Sequence, residues 1–436
     1  MHTFSLVMGN VQQSMSPTPA DAAKLGSQSK TNRKKLLEMR SPTTNPIVAC
    51  DFAMLSEAVA RIARDVAAPH ASDVDANARF PAETIEALRE AQALSALLPR
   101  AWGGAGLGVH ELGQLVTVLA EACASSAMVL AMHYNQVACL MRHGAEQPTI
   151  RDFLQDLVRH QWLVASITSE VGTSGDTRRS ICFVQRHDGR FTLDKNGTVG
   201  SYCAQADAIL VTARSRVDSP PNDQVLVLLR KDQFALKQTT TWNMLGMRGT
   251  CSPGFELRSA SVPVEQIVDA PFATVAAVTM VPYSHILWAA LWTGIAAGAC
   301  AKAGAFIRQQ ARQTPGLVPP QATELAALGV RLQSMRQNWE SAAMDVDALS
   351  DDADGHRALE SMRWSLRLNN LKVFNSEMAP EIVHGALQLV GMAGYANEGR
   401  FSLGRAYRDS LSGALMISNS RLRAANASTL LMVKKV

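Results

Sequence analysis

Apolar residues along the chain follow one period, then another, then the first again. Phe52, Leu55, Val59, Ile62 and Val66 recur at three- and four-residue spacing, which predicts an amphipathic helix. Pro81 stands at a suitable first helical position, with Ile85, Leu88 and Ala91 behind it. The run Gly103-Gly104-Ala105-Gly106 interrupts the pattern, and one long Ala- and Leu-rich helix is expected from His110 through Met141. Near Trp162 the period shortens. Apolar or alternating runs at 163–168, 180–184, 191–193, 208–213, 224–229 and 254–262 are separated by turn residues such as Asp188-Gly189, Asn196-Gly197 and Ser219-Pro220-Pro221. Such runs predict an antiparallel sandwich or barrel. From Pro282 helices return, interrupted at 314–321 by three prolines. The expected class is α+β. It comprises a tail (1–45), an N-terminal helical domain (46–160), a central β domain (161–275) and a C-terminal helical bundle (276–436). Strands and helices do not alternate, so a doubly wound parallel sheet is excluded.

Composition narrows the function classes. The 436 residues are 47% hydrophobic and 18% charged, within the range of a globular enzyme. The net charge of +4 lies wholly in residues 1–40, where six Lys or Arg face Asp21 and Glu38. The rest holds 36 basic and 36 acidic residues, so the folded part carries no excess of the kind nucleic-acid binding needs. The tail is polar, lacks the apolar core of a secretory signal and is expected to be disordered. Seven scattered cysteines without a C-x-x-C pair suit neither a disulfide framework nor a zinc site, and they fit a reducing, cytoplasmic setting. Residues 286–301 are almost wholly apolar, but Ala, Gly and Thr dilute them. They are expected to form a helix buried in the bundle rather than a membrane span.

Four segments carry candidate chemistry. Residues 168–176 read TSEVGTSGD, a Gly-rich turn whose hydroxyls and backbone N–H groups can approach a planar ring edge-on. Residues 195–214 read KNGTVGSYCAQADAILVTAR, and residues 245–264 read LGMRGTCSPGFELRSASVPV. Residues 388–409 read QLVGMAGYANEGRFSLGRAYRD. In this order they resemble the acyl-CoA dehydrogenase superfamily over nearly all of residues 50–430, with departures at Val171, Ser174-Gly175, Pro315 and Met392.

The resemblance implies FAD as cofactor, with Thr168, Ser169, Ser174 and Ser201 near the flavin. Arg312 would meet the pyrophosphate, where a planar guanidinium pairs well with phosphate oxygens. Gln388, Gly391 and Gly394 would contact the FAD of a neighbouring protomer in a homodimer or homotetramer. Arg248 and His133 are candidates for contact with the substrate, either of which could instead serve structure. The substrate would be an acyl thioester, and the redox partner an electron-transfer flavoprotein or a flavin reductase.

The family's usual base is missing. Acyl-CoA dehydrogenases remove an α-proton with a glutamate about nine residues after the Arg-Asp pair. Here Ile417 and Ser418 stand at that place, and no Asp or Glu follows Ser410. The alternative base position, early in the first helix after the β domain, holds Ser284 beside His285. His285 and Tyr283 are the nearest titratable substitutes, and the histidine could take a proton. Three readings stay open. One is an acyl thioester dehydrogenase with an atypical base. Another is a flavin monooxygenase of the same fold acting through a hydroperoxyflavin, which needs no α-proton base. The third is a relative that binds flavin or an acyl carrier without turnover.

Overall fold

Asp51 accepts a hydrogen bond from the Met54 N–H and caps the first helix, α1 (Phe52–Ile62), which buries Leu55, Val59 and Ile62. The computed structural model describes residues 51–313, 315–316, 318–350 and 352–432, so the expected tail lies outside the described residues. A π turn leads into α2 (Ala68–Ala76), and α3 (Ala82–Glu90) starts directly after Pro81. The long helix expected from His110 to Met141 is two helices, α4 (Val109–Ala122) and α5 (Ala124–Gly144). Cys123 between them is extended (φ −145°, ψ 104°), a break that the uninterrupted apolar pattern does not reveal. The helix α6 (Pro148–His160) closes this block.

The β region consists of nine short strands in three three-stranded sheets: β1 (Val164–Ile167), β2 (Gln185–His187), β3 (Arg190–Thr192), β4 (Asp194–Gly197), β5 (Ala208–Arg214), β6 (Gln224–Arg230), β7 (Phe234–Gln238), β8 (Phe255–Ser259) and β9 (Val262–Pro263). The orders are β1-β5-β6, β2-β3-β9 and β4-β8-β7. All pairs are antiparallel except β1 with β5, which run parallel in the register Val164 to Ala208.

Two local expectations change. Residues 180–184 form no strand beyond a single bridge at Phe183, because the N–H groups of Ile181 and Cys182 donate to the Glu170 carboxylate instead of a ladder. Asn196-Gly197 is no turn but the end of β4. A Cβ at Gly197 would sit 2.5 Å from Ile167 Cγ2, so glycine serves close approach of two strands there.

After a single turn α7 (Phe272–Val275), the helix α8 (Val281–Gln313) runs for 33 residues. Its apolar stretch is buried among helices, with Ile286, Leu287, Ala289, Ala290, Leu291 and Trp292 all sealed from solvent. The helices α9 (Gln321–Leu349), α10 (Ala353–Leu359) and α11 (Met362–Val390) follow. The chain finishes with the short turns α12 (Met392–Tyr395) and α13 (Gly404–Ser410), then α14 (Asn419–Leu430). The α8 helix packs on α4, α9 and α11, and one continuous apolar core joins these helices to the inner faces of the sheets.

Candidate active site

Three of the four motifs meet on one side of the β region. Just beyond β1, the Ser169 hydroxyl donates to the Val199 carbonyl (3.0 Å) and accepts from the Val199 N–H (3.1 Å). The first motif is thereby closed onto the turn of the second. Ser201 accepts from the Ser252 hydroxyl (2.8 Å), which lies 2.8 Å from Thr250 Oγ1. The Tyr202 N–H donates to the Thr250 carbonyl (2.9 Å). Ser169, Ser201, Thr250 and Ser252 thus make a hydroxyl-bearing ledge, with Thr168 next to Ser169 just past β1.

The closing helices reach the same place. Asp409 is buried and accepts a hydrogen bond from the Met247 N–H (2.6 Å), and burial raises its carboxyl to about 6. Arg408 pairs with Asp75 and donates to the Leu245 carbonyl (2.7 Å). Arg421 of α14 donates to the carbonyls of Ser174 (2.7 Å) and Gly175, tying the last helix to the first motif. Ser418 stands at the start of α14, with its hydroxyl 2.8 Å from that of Ser420. Neither Asp409 nor Arg421 was singled out by motif reading, although Asp409 belongs to the Arg-Asp pair.

Beneath residues 413–419 lies a buried cation that sequence reading missed. Lys372 Nζ donates to the carbonyls of Gly413 (2.9 Å) and Ile417 (3.2 Å) and to Asn419 Oδ1 (2.6 Å). The Trp292 ring lies 5.7 Å away. The available signal was spacing, because Lys372 falls among buried Leu368, Leu371, Asn375 and Ala379 of α11. Burial lowers the ammonium from 10.5 to about 8. Between those values the unfolded chain keeps a proton that the folded chain has released, so this group makes stability rise with pH there. Lys372→Met is expected to cost about 2 kcal/mol near neutral pH through lost charge-assisted hydrogen bonds. The gap to the wild type should widen from about pH 8 to 10.5. Denaturant midpoints across that range check it, and parallel curves would refute it.

Three further candidates face backbone or side-chain partners within the chain. His285 is 2% exposed, its Nδ1 is 3.2 Å from the Leu368 carbonyl, and burial together with Lys372 pushes it down to about 3. His285 therefore sits in the core against the α11 backbone. His133 is fully buried, with Nε2 2.7 Å from the Leu94 carbonyl and Nδ1 3.0 Å from the Val164 N–H. Both ring nitrogens are taken by backbone, so it staples α5 to β1 and offers nothing to a ligand. Arg248 donates to the Asp75 carbonyl (2.7 Å), Asn243 Oδ1 (3.0 Å) and the Met244 carbonyl (2.9 Å), which makes it a brace between blocks.

The nucleotide-end candidates lie elsewhere. Arg312 is in the last turn of α8, 28 residues beyond Ser284, and about 40 Å along the helix at 1.5 Å per residue. Gln388 is exposed near the end of α11, with its amide 3.1 Å from His384 Nε2. Gly391 ends α11 at φ 65°, and Gly394 follows in α12. Among the described residues, no hydrogen bond joins these four to the hydroxyl ledge.

The donor set fits the ring end of a flavin. Hydroxyls and backbone amides of small residues border the ledge, and a buried lysine and its hydrogen-bond acceptors underlie residues 413–419. The two helical blocks, the small β region between them and this ledge define a flavin-dependent oxidoreductase. The chain belongs to the acyl-CoA dehydrogenase superfamily: residues 51–161 match the family model for the acyl-CoA dehydrogenase N-terminal domain and residues 275–416 that for the C-terminal domain. It is 28% identical to L-evernosamine nitrososynthase of a Micromonospora species over 399 residues, covering 87% of this chain and 88% of that one. The structure of KijD3 in complex with FMN and a dTDP-amino-keto sugar superposes with a TM-score of 0.75 at 22% identity, covering 91% and 96%. Butyryl-CoA dehydrogenase of Megasphaera elsdenii gives a TM-score of 0.75 at 19% identity, covering 90% and 100%. At these identities the structural likenesses speak for the fold.

Proposed function

We propose that the protein is a flavin-dependent monooxygenase that transfers one oxygen atom to a small molecule, rather than an acyl thioester dehydrogenase. The observation that carries this reading is the missing base. Neither family position holds a carboxylate, and His285, the candidate substitute, is sealed in the core. α,β-Dehydrogenation needs a group that takes the α-proton within hydrogen-bond reach of substrate. A reduced flavin, when bound, supplies the two electrons that split dioxygen into the transferred atom and water. This chain's residues would orient and exclude water: Ser169 and Ser201 at the ring edge, and the Lys372-held turn on the facing side. The nitrososynthase relative favours an amine nitrogen as the acceptor atom.

We further infer that FMN satisfies the site, because the residues one chain assembles are those of the ring end. A second copy would have to supply Arg312, Gln388 and Gly391 for an adenylate. The electrons then come from a flavin reductase.

Two measurements test the reading on the full chain loaded with FMN or FAD. Anaerobic addition of acyl thioesters is expected to leave the oxidised flavin absorbance unchanged. Mixing reduced enzyme with oxygen and an amino sugar should give a product heavier by one oxygen atom, with label from isotopic dioxygen. Bleaching by a thioester would return the protein to the dehydrogenases.

A further inference from the structure

The chain between α13 and α14 crosses from one ledge motif to another. At its start Asp409 accepts from the Met247 N–H of the third motif, and just past its end Arg421 donates to the Ser174 carbonyl of the first. Residues 411–418 therefore bridge the segments that supply Ser169, Thr250 and Ser252. The bridge is folded on itself. The N–H groups of Leu415 and Met416 donate to the Ser412 carbonyl (3.1 and 3.0 Å), and that of Asn419 donates to the Ala414 carbonyl (3.0 Å). Leu415, at the tip, is 80% exposed, while Met416 and Ile417 pack partly against the core.

The turn is held in a strained shape. Ile417 has φ 47°, a left-handed conformation that a β-branched residue seldom adopts. Such a conformation persists only where the surroundings fix it. Lys372 supplies the fixing contacts. It is fully buried, and its three hydrogen bonds reach both ends of the turn, Gly413 on one side and Ile417 and Asn419 on the other. Asn419 is itself held by Ser376 (3.0 Å) and Glu377 (2.8 Å) of α11. A Cβ at Gly413 would stand 3.0 Å from both Ser376 Cβ and Trp292 Cε2, so the turn sits tightly on α8 and α11. None of the three acceptors of Lys372 is charged, and Glu377 reaches it only through the Asn419 amide. A buried ammonium paired in that way is a poor means of stabilising a core. Three donors on one atom suit the clamping of a chain reversal.

We propose that Lys372 is a positioning residue for the flavin site: it clamps residues 411–418 over the hydroxyl ledge, so that Leu415 caps the ring of the bound cofactor and keeps water from it. Leu415 is the apolar contact, and Lys372 acts only through the turn. The inference rests on the flavin reading for what is capped, whereas the clamp is a property of the chain alone. The two can therefore fail separately.

Hydrogen exchange on the full chain, with and without FMN, tests both parts. It is read over times too short for the buried amides of α8 to exchange, so that global unfolding does not contribute. Without FMN, Lys372→Met should speed exchange of the Leu415, Met416 and Asn419 amides by roughly tenfold or more, the shift expected when charged hydrogen bonds leave a local opening equilibrium. Leu415→Ala should leave those rates unchanged. Added FMN should slow the same amides in the wild type, and Leu415→Ala should weaken FMN binding by roughly tenfold, as loss of a buried leucine contact does. Turn amides that exchange at the wild-type rate in Lys372→Met would reduce the lysine to a core residue and overturn the clamp. Should that variant fail to fold, Asn419→Ala, which removes one of the three acceptors, takes its place with the same two outcomes. FMN that binds without protecting residues 411–418, or with equal affinity in Leu415→Ala, would overturn the cap. A chain that binds no flavin would end the cofactor reading and the cap with it, while the cofactor-free rates still decide the clamp.

Discussion

Glu170→Gln is expected to destabilise the protein by about 3–5 kcal/mol, the usual cost of leaving one member of a buried ion pair alone. Glu170 and Lys195 have side chains 5% and 0% exposed and stand 3.3 Å apart. Lys195 keeps the Thr212 carbonyl (2.7 Å) as a partner but loses its counter-charge. The same carboxylate holds the N–H groups of Ile181 (3.0 Å) and Cys182 (2.7 Å). The variant should therefore loosen residues 180–184 as well as lower the denaturant midpoint. Adding Lys195→Met should recover part of the loss, because the pair is then replaced rather than broken. Midpoints of the two single variants and the double variant decide it. Strictly additive losses would show that the pair is not coupled.

Gly246→Ala should be nearly as damaging for a different reason. A Cβ there would stand 2.3 Å from the Arg408 carbonyl oxygen and 2.8 Å from the Asp409 nitrogen, both backbone atoms of α13. No rotamer change relieves a clash with backbone, so α13 must move away from the β region. The 2.6 Å hydrogen bond from Met247 to Asp409 goes with it. A cost of about 3 kcal/mol is expected, the upper part of the range for overpacking. Flavin retention should fall too, since the third and fourth motifs would separate. A variant with wild-type melting and full flavin content would refute this account of the junction.

Much of this architecture was legible before any coordinates. The change of period near Trp162 falls between α6 and β1 and its return at Pro282 falls at the start of α8, because a strand face repeats every two residues and a helix face every three or four. The motif residues proved neighbours in space: Ser169 with Val199, Ser201 with Ser252, Met247 with Asp409. What escaped was set by tertiary partners. Residues 180–184 read as a strand, yet the Glu170 carboxylate occupies the amides of Ile181 and Cys182. Nothing local announces the parallel pairing of β1 with β5, which depends on which strand arrives alongside. The fates of His285 and His133 turn on the carbonyls and amides that face them, and a one-dimensional pattern carries no record of those. Lys372 is the clearest omission, since a lone lysine in a helix ordinarily faces solvent.

The way α14 is attached has a consequence for how the molecule comes apart. Its buried positions include Asn419, Leu422 and Asn426, and its anchors are polar: Asn426 to Asn369, Arg423 to Glu377, Arg421 to the loop at 174–175. Elements held by few apolar contacts open before the core does. Warming or added salt should therefore free the carboxyl-terminal segment and the flavin-side loop as one breathing unit while the long central helices stay intact. Amide exchange would register the two regions at a common rate, an early yielding point built into the end of the chain.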